Sequence, residues 1–97
     1  MPAPYTVALT PGALADLDRL DLFLREKDPA AADSLLAAIT AGLTRLSAMP
    51  LVGRPIPDSA LRAWVVRFGK ARYVFLYEVR GQSVLLARIF HGREDRD

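Results

Sequence analysis

The residues best equipped for chemistry in this 97-residue chain lie near its C-terminal end, in His91-Gly92-Arg93-Glu94-Asp95. His91 is the only histidine, and histidine is the side chain that titrates near neutrality without help. Arg54, Arg62, Arg72, Arg88 and Arg93 supply guanidinium groups, whose planar fork matches phosphate or carboxylate in bidentate geometry. A histidine beside such cations suits metal-free RNA cleavage. That reaction needs a base for the ribose 2′-hydroxyl, cations for the phosphorane and an acid for the leaving oxygen.

Each of these residues also has a plainer use. A lone histidine at a strand end more often serves as a hydrogen-bonding structural residue. Arg88 either binds a target or pairs with Glu78 across a hairpin, where opposite charges on neighbouring strands attract mildly. Arg54, between Gly53 and Pro55, either binds a target or fixes its loop by bonding carbonyls. Tyr73, Tyr77 and Trp64 could stack on bases or fill a core.

Composition removes other chemistries. The chain has no cysteine, so neither a disulfide framework nor a thiolate metal site is available. One histidine with scattered carboxylates is no set for a transition metal. The six glycines are isolated from one another and make no phosphate-cradling loop. No metal and no cofactor are therefore expected. No apolar run approaches the roughly 18 residues of a membrane helix, and the N-terminus lacks the basic and apolar regions of a signal peptide. A cytoplasmic protein with no membrane association is the expectation.

The net charge of +2 is unevenly spread. Residues 1–50 carry four basic and six acidic side chains, whereas residues 51–97 carry nine basic and five acidic. Basic charge concentrated in one half suits a polyanion or an acidic protein partner.

The positioning elements follow from periodicity. Tyr5–Leu9 reads as a short apolar strand. Thr10-Pro11 is a helix cap followed by proline at the first helical position, and Leu14, Leu17, Leu20 and Leu24 recur at helical spacing to about Glu26. Asp28-Pro29 repeats the capping signal, and a stripe of Leu35, Leu36, Ile39, Leu43 and Leu46 predicts a second helix ending near Ala48. The short link makes an antiparallel helical hairpin. Leu51–Ala60, interrupted by Pro55 and Pro57, is expected to be an irregular connector.

Arg62–Phe68 then alternates, with Trp64, Val66 and Phe68 on one face. After a turn at Gly69-Lys70-Ala71 comes a β-hairpin over Arg72–Arg93, turning at Arg80-Gly81-Gln82. Strict alternation sets Tyr73, Phe75, Tyr77 and Val79 against Val74, Leu76 and Glu78. It sets Val84, Leu86, Arg88 and Phe90 against Leu85, Ala87, Ile89 and His91. Neither face of the hairpin is plainly polar, so partial cover on both sides is expected. The order β-α-α-β-β-β makes an α+β domain over residues 1–97, with a helical hairpin across a mostly antiparallel sheet. The partner of the first strand is left open.

This order, with these residues at its joints, resembles the RelE/ParE superfamily of toxins from bacterial type II toxin–antitoxin modules. The resemblance runs through Pro11 with Leu14-Ala15-Asp16-Leu17, and through Ala31-Ala32 to Leu46. It continues in Met49-Pro50 with Gly53-Arg54-Pro55, in Arg62 and in Tyr73-Val74-Phe75-Leu76-Tyr77. It ends in Arg88 with His91-Gly92-Arg93-Glu94-Asp95. The loop and tail look more like the ParE branch, which poisons DNA gyrase by binding, than the RelE branch of ribosome-dependent mRNA endoribonucleases. Nothing aromatic follows Phe90, and Lys70 is the only lysine after Lys27, so the acid–base and lysine-rich features of RelE-like nucleases are missing. The resemblance implies a cognate antitoxin as partner. It implies target or partner contacts through Arg54, Arg62, Arg72, Tyr73, Arg88 and Arg93. Under the nuclease alternative, His91, Arg88 and Arg93 would be catalytic.

Overall fold

Thr10 and Asp28 divide the first half of the chain into its elements. The computed structural model describes residues 4–94. Strand β1 (Thr6–Leu9) leads into helix α1 (Pro11–Lys27), and α2 (Pro29–Ala48) follows after one residue. The Thr10 hydroxyl accepts from the Ala13 N–H at the start of α1. Asp28 closes one helix and opens the next. Its N–H donates to the Leu24 carbonyl, and its carboxylate accepts from the Ala31 N–H. Arg25 and Lys27 occupy the last turn of α1, where cations oppose the negative end of the helix dipole.

The second half forms the sheet. Strand β2 (Arg54–Pro55) interrupts the connector, β3 spans Leu61–Phe68, β4 spans Ala71–Arg80 and β5 spans Ser83–His91. The spatial order is β1-β5-β4-β3-β2, with β1 parallel to β5 and every other pair antiparallel. The first strand thus pairs with the last. The connector expected to be irregular contributes two residues of edge strand, Arg54 opposite Ala63 and Pro55 opposite Arg62. Both hairpin turns are tighter than expected and share one chemistry. Phe68 pairs with Ala71, and Arg80 with Ser83, each across two residues that begin with glycine at positive φ (+58° at Gly69, +54° at Gly81). Glycine first in a two-residue loop is the type II′ pattern that suits strand twist.

The helices lie on one face. Phe75, Tyr77, Val84, Leu86 and Ile89 are fully buried beneath them with Leu35, Ile39 and Leu46 of α2. Gly42 lets α2 approach: a Cβ there would stand 3.3 Å from the Phe75 ring, which meets Trp64 edge-on at 5.9 Å. The expected leucine stripe of α1 holds only in part. Leu20 is buried, but Leu14 is 51% exposed and Ala13 and Asp16 take the inner line.

Strict alternation also fails in β5. Tyr77 faces Leu86, but Leu76 faces Arg88, so Ala87 is an extra, bulged residue. Directly opposed residues share a face of the sheet. Past the bulge, Ile89 therefore joins Val84 and Leu86 under the helices, while Arg88 and Phe90 turn to the other side. That other side has no helix over it. Of the hairpin's apolar residues there, Phe90 is 7% exposed and Val74, Leu76 and Leu85 are half-buried, so cover on this side is partial, while Val65 of the neighbouring β3 is 48% exposed.

Candidate functional site

The Arg88 guanidinium does not reach Glu78, which bonds Arg80 instead. Residue 78 lies opposite Leu61 and Leu85, and residue 88 opposite Leu76, so the bulge puts Arg88 on the face of Glu78 but two positions along β4 from it. Arg88 turns the other way, around the edge of β5, to Asp16 of α1. Its Nε donates to Oδ2 at 2.7 Å and its Nη2 to Oδ1 at 3.0 Å. Gly12 makes room for this path, since a Cβ at that position would sit 3.2 Å from the Arg88 Cδ.

The contact belongs to a larger device. Strand β1 covers β5 only from Ser83 to Leu86. Beyond that point α1 takes over the partner's role. The Thr10 hydroxyl donates to the Ala87 carbonyl at 2.8 Å, the Ile89 N–H donates to Asp16 Oδ2 at 2.9 Å, and Arg19 Nη2 reaches the Ile89 carbonyl at 3.4 Å. A sheet edge that would expose unpaired groups is thus closed by helix side chains. Asp16 is only 3% exposed. Burial pushes its carboxyl up, but the bonds from Arg88, the Ile89 N–H and Arg19 outweigh burial and hold it below the usual range.

A second anchor fixes the loop after α2. The buried Tyr77 hydroxyl donates to the Pro50 carbonyl and accepts from the Gly53 N–H, both at 2.8 Å. Arg62 Nη1 donates to the Gly53 carbonyl at 2.7 Å. Fixing carbonyls in this loop, considered above for Arg54, thus falls to Arg62. Arg54 is left exposed on β2.

Two surfaces result, on opposite sides of the sheet. The open face has an apolar centre of Ala63, Val65, Val74, Leu76 and Phe90 between Arg54 and Arg88. The Arg88 guanidinium lies 4.7 Å from the Phe90 ring centre and covers it. At the other end, Arg67 and Arg72 stand directly opposite each other, both exposed. Like charges in that position repel, so this end of the face is strongly cationic. Arg67 and Val65 were legible as neighbours in the β3 alternation, but nothing in the sequence distinguished Arg67 from other surface charges.

The second surface is a groove of about 870 Å³ on the helix side, where α1 meets the β3–β4 turn and the end of β5. His91 and Tyr73 meet here edge-on at 5.2 Å. The His91 Nδ1 accepts from the Arg93 N–H at 3.1 Å, and the His91 N–H donates to Glu94. Arg19 Nη1 holds the same Glu94 carboxylate at 2.8 Å. Burial and the Glu94 charge both raise the Tyr73 hydroxyl's pKa. Arg93 sits exposed beside this groove. The structure therefore gathers His91, Tyr73 and Arg93 on one side and Arg54 and Arg72 on the other. Arg88 is shared with Asp16, and Arg62 is committed to its loop. Asp95 of the tail motif lies outside the described residues. Among the described residues, no cluster of His, Cys, Asp or Glu could hold a metal ion, and no helix is long and apolar enough to cross a membrane.

Comparison with known proteins agrees with this architecture. The family model described as the ParE toxin of type II toxin–antitoxin systems, parDE, matches residues 7–96. The chain is 37% identical over 92 residues to Toxin RelE1 of Caulobacter vibrioides, covering 95% of this chain and 98% of that one. Toxin RelE3 of the same organism is 34% identical over 91 residues, covering 94% and 98%. Among solved structures, the chromosomal ParDE system from P. aeruginosa superposes with a TM-score of 0.72 at 21% identity, over 89% of this chain and 94% of that one. The RelBE2 toxin–antitoxin complex from Mycobacterium tuberculosis gives 0.62 at 27% identity, over 91% and 98%.

Proposed function

The chain belongs to the ParE toxin family of type II toxin–antitoxin systems, and we propose on that footing that it arrests growth by binding rather than by cleaving its target. The proposed target is DNA gyrase, engaged in the cytoplasm through the open, cationic face of the sheet, and a cognate antitoxin neutralises the chain. One observation carries this reading: the only histidine and the arginine-rich face point to opposite sides of the sheet. His91 has its Nδ1 engaged by the Arg93 N–H. Arg54, Arg67 and Arg72 lie across the sheet from it. Arg88, also on the open face, is already bonded to Asp16.

The aromatic side chains support the same choice. Tyr73, Tyr77 and Trp64 all face the helices, and Phe90 is 7% exposed beneath Arg88. The open face thus offers little surface for stacked bases, which RNA-binding sheets use. An apolar centre ringed by guanidinium groups suits an acidic protein surface better.

The test is induced expression of the chain alone, following DNA and protein synthesis separately by pulse labelling. DNA synthesis should fall first, and Arg67→Glu with Arg72→Glu should abolish the arrest without lowering the thermal midpoint. His91→Ala should leave the arrest intact. If protein synthesis falls first and His91→Ala restores growth, the chain is instead a ribosome-dependent mRNA endoribonuclease.

A further inference from the structure

Unpaired positive charge gathers at one end of the sheet. Arg67 and Arg72 are directly opposed one pair in from the β3–β4 turn, Lys70 is exposed in that turn, and Arg93 is exposed just past β5. The Gly92 N–H donates to the Arg72 carbonyl at 2.6 Å, and a Cβ on Gly92 would stand 3.1 Å from that oxygen. Glycine thus lets the chain bring Arg93 up beside Arg72. Arg19, Arg25, Arg80 and Arg88 each meet a carboxylate, whereas these four cations meet none among the described residues. Glu94, next to Arg93, is held by Arg19. Like charges fixed side by side repel, so an anion between Arg67 and Arg72 relieves a cost that the free chain carries. Lys70 and Arg93 extend the cluster beyond what a single anion can satisfy. Exposed carboxylates of the helical hairpin, Asp18, Glu26, Asp28 and Asp33, lie on the other layer, so a polyanion is steered toward the sheet. The ring on the open face, Phe90, is 7% exposed beneath Arg88. Single strands are held largely by stacking, whereas a duplex is held by its phosphates and needs only cations. An acidic protein is better served by the apolar centre farther along the face, between Arg54 and Arg88.

We propose that the turn end of the sheet binds the phosphate backbone of duplex DNA without reading its sequence, with Arg67 and Arg72 on one phosphate and Lys70 and Arg93 on its neighbours. The inference deepens the proposed function and rests on it for its place in the cell. The apolar centre meets the protein target, and the cationic end meets the DNA on which that target acts. Binding to free duplex requires no gyrase, so the inference can fail alone.

The test titrates a short, fluorescently labelled DNA duplex with the full chain and follows anisotropy at several salt concentrations. Two duplexes of unrelated sequence should bind alike. With roughly three phosphates neutralised, log K should fall against log salt with a slope of about −3. Arg67→Gln and Arg72→Gln alter exposed positions and relieve a like-charge contact, so neither should lower the thermal midpoint. Each should weaken binding and reduce the salt slope by about one. Arg45→Gln removes the same charge from the exposed last turn of α2 and should bind as the parent does. Equal losses in Arg45→Gln and Arg72→Gln would reduce the binding to net charge and overturn the site. Tighter binding to a single strand of the same sequence, or to poly-glutamate, would assign the cluster to unpaired strands or to an acidic protein and overturn it as well. No duplex binding by the parent would end the proposal, while the growth-arrest assay would still decide the protein target.

Discussion

Asp16 is the residue on which the last strand depends, and its effect can be measured. Replacing it by asparagine keeps the shape but removes the charge that receives Arg88 and the Ile89 N–H. The expected loss is about 1.5–3 kcal/mol, the range for hydrogen bonds to a charged group, read as a lower urea midpoint with an unchanged slope. The pH dependence follows from the lowered carboxyl. A carboxyl with a depressed value in the folded state adds stability that is complete above its unfolded value, near 3.9. That stability disappears as pH falls through the folded value. The parent chain should therefore lose stability below about pH 4, and Asp16→Asn should show a shallower acid slope. Equal slopes would place the acid-sensitive group elsewhere. By pattern, Asp16 reads as one more polar residue on an amphipathic helix. Its burial is set by contacts more than 70 residues away, which no local periodicity reports.

At the level of elements, the order, the helix caps and most strand limits were legible because each depends on neighbours in sequence. Thr10-Pro11 and Asp28-Pro29 cap helices through local hydrogen bonds, and Gly69 and Gly81 mark turns through their own φ angles. The faces of β5 were not legible, because one bulged residue reverses every assignment after it. Alternation made Ile89 and Leu85 equivalent. The structure buries Ile89 completely and leaves Leu85 half-buried on the open face. Ile89→Ala should cost about 2–5 kcal/mol as a filled core site is emptied, and Leu85→Ala less than half of that. Denaturant titration of the two variants decides it, and similar losses would restore strict alternation. The sequence showed the candidate site as a set of residue types, but which side of the sheet each occupies depended on that same bulge. It therefore did not show that His91 faces away from Arg54, Arg67 and Arg72.

For the whole molecule, the two surfaces explain why a chain of this size is expected to gain from a partner. The groove and the open face both present apolar area to water, with Phe23 and Val65 as their most exposed members. Antitoxin bound only to the folded chain stabilises it by mass action, by about 2.7 kcal/mol at a free concentration one hundred times the dissociation constant. The melting temperature should therefore rise with antitoxin concentration. Equal melting temperatures with and without antitoxin would contradict the proposed partnership.

The brace between α1 and β5 also has a consequence in time. It joins Thr10 to Ala87 and Asp16 to Ile89, spans of 77 and 73 residues. During synthesis α1 emerges long before the strand it secures. Contacts so distant in sequence form late because the intervening loop must first be closed. Strand β5 sits between β1 and β4, so the sheet cannot be completed until Ser83–His91 is free to pair. A chain that has not yet presented Ser83–His91 therefore holds neither the completed sheet nor the brace.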